Sequence, residues 1–122
     1  MDSLGKIAML GSGSWATALA KLLLDNTDRL TWYVRRQEHI DDFIKYRRNP
    51  GYLSDVVFDT ARIDFTSDIS EACLRADTIV VAIPSPYVKA EAEKITTDIS
   101  RKNIVSAVKG MVSDDNMIVT DW

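Results

Sequence analysis

The sequence predicts an α/β fold, a doubly wound and mainly parallel sheet with helices on both faces. Two observations lead to this prediction. Short apolar runs alternate with helix-like segments along the chain, and strand, helix and strand already follow one another within residues 7–34. Parallel neighbours need such crossover connections, which are right-handed. The 122 residues suit one domain, 1–122, because domains commonly have about 100–150 residues.

The first unit is strand, turn, helix, strand. Residues 7–10 form a short apolar run that stops at glycines, which is typical of a buried strand entering a tight turn. Residues 15–24 are apolar on nearly every side and contain no Gly or Pro, which predicts a buried helix. Residues 30–34 are rich in β-branched and aromatic side chains and predict the second strand.

A second helix and a loop follow. Ile40, Phe43 and Ile44 lie at helical spacing. The helix should stop near Pro50, since proline disfavours helical backbone at the residue before it. The stretch 52–61 is expected to be loop or irregular.

The third unit begins with a short alternating strand at 63–66. Asp68 and Glu71 resemble a capping box at the start of the next helix. Cys73 lies on the apolar side of that helix, and we expect it to be a core residue, because nothing nearby in sequence would lower its pKa. Residues 78–83 form the clearest strand in the sequence.

The last predicted pair is a helix and a strand. Val88, Ala92, Ile95 and Ile99 repeat along one side of an amphipathic helix. Residues 104–108 predict a fifth strand.

Charge balance and the scarcity of cysteine and histidine exclude several functions. The chain has 15 Lys+Arg against 18 Asp+Glu, a net charge of −3, so we expect no nucleic-acid partner. A single cysteine excludes an intramolecular disulfide framework and a cysteine-based metal cluster, and we expect no metal. Ser-His-Asp hydrolysis would depend on His39, the only histidine, which we expect at the surface.

Without a signal-like start or an apolar run of about 20 residues, we expect a cytoplasmic protein with no membrane insertion.

The strongest motif is Gly11-Ser12-Gly13-Ser14-Trp15-Ala16, a G-x-G-x-x-A form of the dinucleotide-binding fingerprint between a predicted strand and a predicted helix. Gly11 would permit the tight turn, Gly13 would leave room for a pyrophosphate, and Ala16 would let helix and strand pack closely. The helix N-terminus would offer N–H groups to the phosphates. The motif therefore predicts a Rossmann-like domain, although a βαβ glycine turn that binds no nucleotide stays open.

The end of the second strand bears on cofactor choice. NAD-binding domains usually place an acidic residue about 20 positions after the fingerprint. This chain has Arg35 and Arg36 there, and two guanidiniums suit a 2′-phosphate, which favours NADPH over NADH. A solvated arginine pair at a helix start is the alternative, and NADH stays open.

Lys109 and Gly110 directly follow the fifth strand. Ligands of open α/β sheets bind beyond the carboxyl ends of the strands, so a lysine there could neutralise a substrate oxygen or phosphate. By itself, a lone lysine is more often part of the solvated surface.

Together these segments resemble the N-terminal part of the bacterial NAD(P)-dependent glycerol-3-phosphate dehydrogenases. Residues 6–20 are similar to the opening of these enzymes, and residues 49–53 are similar to their Asn-x-x-Tyr-Leu loop. Residues 81–85 are similar to the strand that ends in Val-Pro-Ser, and residues 105–110 to the Ser-x-x-Lys-Gly signature. Ala16 departs from the family's usual Gly but is small enough to keep the packing. Besides the two turn glycines, the resemblance implies that Ser14, Trp15, Arg35, Arg36 and Lys109 contact the cofactor. Tyr52 is a further candidate for a cofactor contact. The resemblance also implies that Lys109 contacts the substrate.

The resemblance also implies a reaction, the reduction of dihydroxyacetone phosphate to sn-glycerol 3-phosphate with NAD(P)H, which supplies phospholipid synthesis. Family members continue into a helical C-terminal domain that carries the general acid/base lysine, so we expect no catalytic residue in these 122 residues. The chain is expected to be the first domain of a longer enzyme and to bind NADPH without turnover. A homodimer is one option, and the role of residues 113–122 stays open.

Two alternatives stay open. Another NAD(P)-dependent reductase of the same domain plan, such as a hydroxyacyl or ketopantoate reductase, would share the fingerprint and the sheet. It would fit Ser14-Trp15 and Ser106 to Gly110 less well. A nucleotide-sensing module that binds NAD(H) without chemistry would more naturally end its second strand in an acidic residue and would not need Lys109.

Overall fold

The computed structural model describes residues 5–49 and 57–107. Strands and helices alternate along them as the sequence predicts. In chain order these elements are β1 (Ile7–Leu10), α1 (Ser14–Leu24), β2 (Leu30–Tyr33), α2 (Gln37–Tyr46), β3 (Ile63–Thr66), α3 (Ile69–Arg75), β4 (Thr78–Val81), α4 (Ser85–Ala92) and β5 (Asn103–Ser106). A short 3-10 helix at Thr60–Arg62 leads into β3.

The strands described form one parallel sheet in the order β3-β2-β1-β4-β5. β1 is central, and Met9 lies between Trp32 of β2 and Val80 of β4. The chain builds outward from β1 through β2 and β3, then crosses back to β4 on the other side. The doubly wound fold class is therefore confirmed. The reversal between β1 and β4 leaves a crevice at the carboxyl ends of these strands, where ligands of such sheets bind.

Alternate residues of each strand face opposite sides of the sheet, so the core has two layers. Ile7 and Met9 of β1 face the α1 and α2 side, whereas Ala8 and Leu10 face α3 and α4. On the first side Trp32 packs edge-on against Phe43 and Phe58, with ring centroids 5.0 and 5.5 Å away. The first layer also includes Ala16, Ala20, Leu24, Val34 and Ile40, and the second includes Ile69, Ala72, Cys73, Ala76, Ile79 and Ile83.

Some boundaries differ from the predicted ones. α2 ends at Tyr46 rather than near Pro50, because Arg47 adopts left-handed backbone with φ 56°. The Arg47 carbonyl accepts a hydrogen bond from the Phe58 N–H (2.7 Å), which ties this helix end to the segment before β3. β4 ends at Val81 rather than at residue 83, and β5 runs from 103 to 106 rather than from 104 to 108.

The predicted long helix through Ile99 is wrong in extent, since α4 ends at Ala92. Ile95 and Ile99 still pack against the second core layer, but from irregular backbone. Ser70 of α3 explains the early end. Its hydroxyl donates to the Lys94 carbonyl (3.1 Å) and accepts from the Thr96 N–H (2.8 Å), in competition with helical hydrogen bonds.

The start of α3 follows half of the predicted capping box. The Asp68 carboxylate accepts from the Ser70 and Glu71 N–H groups at 3.0 and 3.3 Å. The Asp68 N–H donates to Thr66 Oγ1 (3.1 Å), so Glu71 does not complete the box as predicted. Cys73 is fully buried, as predicted, and this burial raises the pKa of its thiol.

None of the helices in residues 5–49 and 57–107 combines the length and the apolar character that crossing a bilayer requires.

Candidate functional site

The turn after β1 is built around Gly11, which has a φ of 117°. L side chains rarely adopt such backbone. A Cβ on Gly11 would also lie 2.7 Å from the Ala82 carbonyl oxygen and 3.0 Å from its carbon, at the end of β4. The predicted tight turn is therefore present. Glycine is required there both by the backbone conformation and by the close approach of β4.

Gly13 differs from Gly11 in this respect. Its φ is −73°, and a Cβ built on it would meet no atom of residues 5–49 and 57–107 within 4 Å. The packing of the described residues therefore does not require glycine at this position, and they leave room beside its backbone. This is the arrangement expected where a ligand approaches the chain closely.

Gly13 is also the N-cap of α1, which begins at Ser14. The first N–H groups of an α-helix have no acceptor within the helix, and a glycine cap supplies no side-chain acceptor. The N–H groups of Ser14, Trp15 and Ala16 therefore belong to the first turn of α1, near the carboxyl end of β1. The helix dipole adds partial positive charge at this end of the helix. Such a helix start suits a phosphate group.

A buried polar network lies under this turn. Asn49 is fully buried (0% exposed) and donates from Nδ2 to the Ser12 carbonyl oxygen and to Thr17 Oγ1, both at 2.9 Å. Thr17 is fully buried as well and donates from Oγ1 to the Gly13 carbonyl (2.7 Å). His39 Nε2 lies 2.9 Å from Asn49 Oδ1. The network joins the glycine turn, α1 and α2.

Sequence reasoning missed this network. Asn49 entered only as part of a family-like loop, and the surface expectation for His39 is wrong, because its ring is half-buried against Asn49. The sequence gives only a weak signal for this network, because the hydrogen-bond partners of Asn49 lie 32 and 37 residues away from it in the chain.

Trp15 connects the turn to the far side of the crevice. Its side chain is 42% exposed, and Nε1–H donates to the Ala107 carbonyl at 2.6 Å. Ala107 follows β5 and precedes Lys109 by two residues. Lys109 and Tyr52 lie outside the described residues, and their predicted roles stay predictions.

Arg35 and Arg36 are exposed and lie one residue beyond the end of β2, the strand next to β1. Arg36 is the N-cap of α2, and its carbonyl accepts from the His39 and Ile40 N–H groups at 3.1 and 3.2 Å. Parallel strands end at the same edge of a sheet, so the arginine pair lies at the edge that carries the glycine turn. This matches the placement that the sequence predicts.

On the other face, a second buried polar group links β2 to α4. Tyr33 is buried and donates from its hydroxyl to the Glu91 carboxylate, whose other oxygen lies 2.5 Å from Lys94 Nζ. Burial and, next, the Glu91 hydrogen bond raise the pKa of Tyr33 well above its ordinary value. Sequence reasoning singled out none of these residues.

No three His, Cys, Asp or Glu side chains within residues 5–49 and 57–107 group closely enough to hold a metal ion. The chemistry that the turn offers is that of backbone N–H groups, a helix dipole and nearby guanidiniums, all suited to anionic ligands. A parallel doubly wound sheet with this turn at its switch point defines a Rossmann-like, dinucleotide-binding class of domain.

Comparison with known proteins identifies the family. Residues 6–122 match the family model described as NAD-dependent glycerol-3-phosphate dehydrogenase N-terminus. The chain belongs to this family, which confirms the resemblance found in the sequence. The glycerol-3-phosphate dehydrogenase (NAD(P)+) of Lysinibacillus sphaericus is 34% identical over 113 residues, covering 92% of this chain and 33% of the relative. That of Bacillus subtilis is 32% identical over 113 residues, covering 93% and 32%.

Solved structures agree. The chain matches a glycerol-3-phosphate dehydrogenase from Plasmodium falciparum with a TM-score of 0.70 and 25% identity, covering 83% of this chain and 31% of that one. The corresponding enzyme from Saccharomyces cerevisiae gives a TM-score of 0.73 at 20% identity, over 83% and 32% of the two chains, a likeness of fold. The chain thus spans about a third of the length of its curated relatives.

Proposed function

We propose that this chain binds NADPH at the turn of residues 11–16 and serves as the cofactor-binding part of an enzyme that interconverts dihydroxyacetone phosphate and sn-glycerol 3-phosphate. One observation carries the proposal. At Gly11 the backbone is glycine-only and packed against Ala82, directly after β4, whereas no atom of residues 5–49 and 57–107 lies within 4 Å of a Cβ built on Gly13. Packing explains the first glycine, and ligand approach explains the second.

The residues of the turn fit a dinucleotide. Its pyrophosphate would lie beside Gly13 and accept hydrogen bonds from N–H groups at the start of α1, including those of Ser14 and Trp15. When bound, the reduced nicotinamide supplies a hydride to a substrate carbonyl. The exposed Trp15 ring is held by the Ala107 carbonyl, which lies just after the carboxyl end of β5.

Arg35 and Arg36 support NADPH as the preferred cofactor. Both guanidiniums are exposed at the edge of the sheet that carries the turn. A 2′-phosphate offers oxygens that guanidinium N–H groups can pair with in fork geometry. NADH lacks that phosphate and so offers the two guanidiniums no such pairing.

Lys109 is proposed to contact the cofactor and the substrate, and Tyr52 is proposed as a further cofactor contact. The Trp15–Ala107 hydrogen bond supports the assignment of Lys109, because it ties the phosphate turn to the segment that leads directly to this lysine. An ammonium there would balance the phosphate or the developing alkoxide of a small phosphorylated ketone.

Titration calorimetry with NADPH and NADH tests the proposal on the 122-residue chain. We expect NADPH to bind more tightly, and Arg35→Ala and Arg36→Ala each to weaken NADPH about tenfold, within the range of a charge-assisted hydrogen bond, while NADH binding changes little. Arg101→Ala, an exposed arginine before β5 at the opposite end of the sheet, is the matched control. Equal affinity for the two cofactors would refute the NADPH preference, and no binding of either would refute the function.

The same chain should show little or no reduction of dihydroxyacetone phosphate, because the resemblance assigns the general acid/base lysine to a region beyond these residues. Oxidation of NADPH followed at 340 nm measures this directly. Substantial turnover would contradict that assignment.

A further inference from the structure

We propose that Asn49 is a positioning residue for the cofactor, one that orients the peptide between Ser12 and Gly13 so that the Gly13 N–H faces the pyrophosphate. This inference rests on the proposed cofactor function. It assigns a task to a fully buried amide that the fingerprint itself does not contain.

The donors and acceptors around Asn49 define one arrangement. Both Nδ2 hydrogens are used, toward the Ser12 carbonyl and Thr17 Oγ1. The Thr17 hydroxyl has one hydrogen, which it donates to the Gly13 carbonyl, so it accepts from Asn49. Asn49 Oδ1 then accepts from His39 Nε2–H. A flipped amide would set Oδ1 against the Ser12 oxygen, two acceptors without a hydrogen between them.

The consequence lies in the direction of the backbone. Three successive carbonyls of the turn, at residues 11, 12 and 13, are all held by donors from the protein interior. In a trans peptide the N–H points opposite to the C=O. Carbonyls that point toward these interior donors therefore direct the following N–H groups away from them. The three donors are Trp32 Nε1 to Gly11 (2.6 Å), Asn49 Nδ2 to Ser12 (2.9 Å) and Thr17 Oγ1 to Gly13 (2.7 Å).

Asn49 therefore acts on binding in a specific way. Without its amide the Ser12 carbonyl loses this buried partner, and the peptide gains freedom to turn its oxygen toward the phosphates. An oxygen there repels an anion, whereas the N–H attracts it. The adenosine end of the cofactor, at Arg35 and Arg36, does not contact the peptide between Ser12 and Gly13 in this proposal, so its binding should be affected much less.

The test compares two ligands on the same variants. Asn49→Ala is expected to weaken NADPH about tenfold or more. Its affinity for adenosine 2′-monophosphate, which carries the 2′-phosphate but no pyrophosphate, should change less than about twofold in an NMR titration. Asn26→Ala is the matched control, an exposed asparagine that also donates to a backbone carbonyl, that of Leu22 (3.0 Å).

Each result decides the question. Equal loss for both ligands, or unchanged NADPH affinity, overturns the positioning role. An unsubstituted chain that binds no NADPH overturns the proposed function and this inference with it. If Asn49→Ala does not fold, Thr17→Val removes the shared hydroxyl at constant shape and should weaken NADPH several-fold, whereas Thr17→Ser should retain binding. Equal affinities of these two variants overturn the role.

Discussion

Substituting Gly11 by alanine should destabilise the fold, whereas the same change at Gly13 should not. The two glycines stand two residues apart in one turn and differ in what a methyl group would meet. At Gly11 the backbone has a φ of 117° and the nearest atoms belong to the backbone of Ala82. Backbone cannot rotate away as a flexible side chain can, so the strain has no inexpensive release.

The expected magnitude follows from these two terms. Holding a non-glycine residue in a sparsely populated φ/ψ region costs about 1–3 kcal/mol. Forcing a methyl group to 2.7 Å from the Ala82 oxygen adds an overpacking cost of about 1–3 kcal/mol. Gly11→Ala should therefore lower the free energy of unfolding by about 2–6 kcal/mol, a large part of the total of about 5–15 kcal/mol typical of a domain.

Urea unfolding followed by far-UV circular dichroism measures the effect, with the slope of the transition checked for constancy. Gly13→Ala is the matched control and should change stability by less than about 1 kcal/mol, since the added Cβ meets none of the residues that the structure describes and φ is −73°. The same variant should bind NADPH at least about tenfold more weakly, because its methyl group fills the space proposed for the pyrophosphate.

Either of two outcomes would refute this reasoning. Gly11→Ala within about 1 kcal/mol of the unsubstituted chain would show that β4 is not packed against the turn as described. Unchanged NADPH affinity in Gly13→Ala would show that the open space beside this glycine is not where the cofactor binds.

Two further predictions concern stability. Asp68→Ala removes the acceptor for the Ser70 and Glu71 N–H groups and should lower the free energy of unfolding by about 1 kcal/mol. Urea titration measures this loss. Asp68→Asn keeps an acceptor oxygen, so an equal loss in that variant would contradict the capping role. Burial and the hydrogen bond to Glu91 raise the pKa of Tyr33. The folded state therefore holds the hydroxyl proton of Tyr33 more tightly than the unfolded chain does. That stabilisation is complete below the unfolded tyrosine pKa of about 10 and is lost as pH rises through the folded value. Free energies of unfolding between about pH 8 and 12 should fall more steeply for the unsubstituted chain than for Tyr33→Phe, and parallel curves would argue against the buried Tyr33–Glu91 contact.

Where the structural information is local, the sequence predicts well. The first strand, the glycine turn and α1 are contiguous, so apolar run, turn residues and helix formers all act on neighbouring residues. The exposed place of Arg35 and Arg36 follows from the same logic, since they come shortly after the end of a strand adjacent to β1. Fold class, fingerprint and arginine pair could therefore be identified without coordinates.

Where a distant residue determines the backbone conformation of a segment, the sequence pattern predicts that conformation wrongly. The apolar spacing through Ile99 is genuine, because Ile95 and Ile99 do pack on the core. The helix nevertheless stops at Ala92, where Ser70, more than 20 residues earlier, binds the backbone that follows. Periodicity reports which side chains are buried, and the hydrogen bonds from α3 decide the backbone that carries them.

The same distinction holds for the site. The sequence alone determined that a strand ends in glycines before a helix, and hence that a dinucleotide could be bound and which family the chain resembles. Only the tertiary structure decided that Gly11 is needed for packing whereas the described residues leave room beside Gly13. It also showed that Asn49, Thr17 and His39 support the turn from below. The reason is physical, because turn propensity acts between neighbours, whereas close approach and buried hydrogen bonds join residues that only folding brings together.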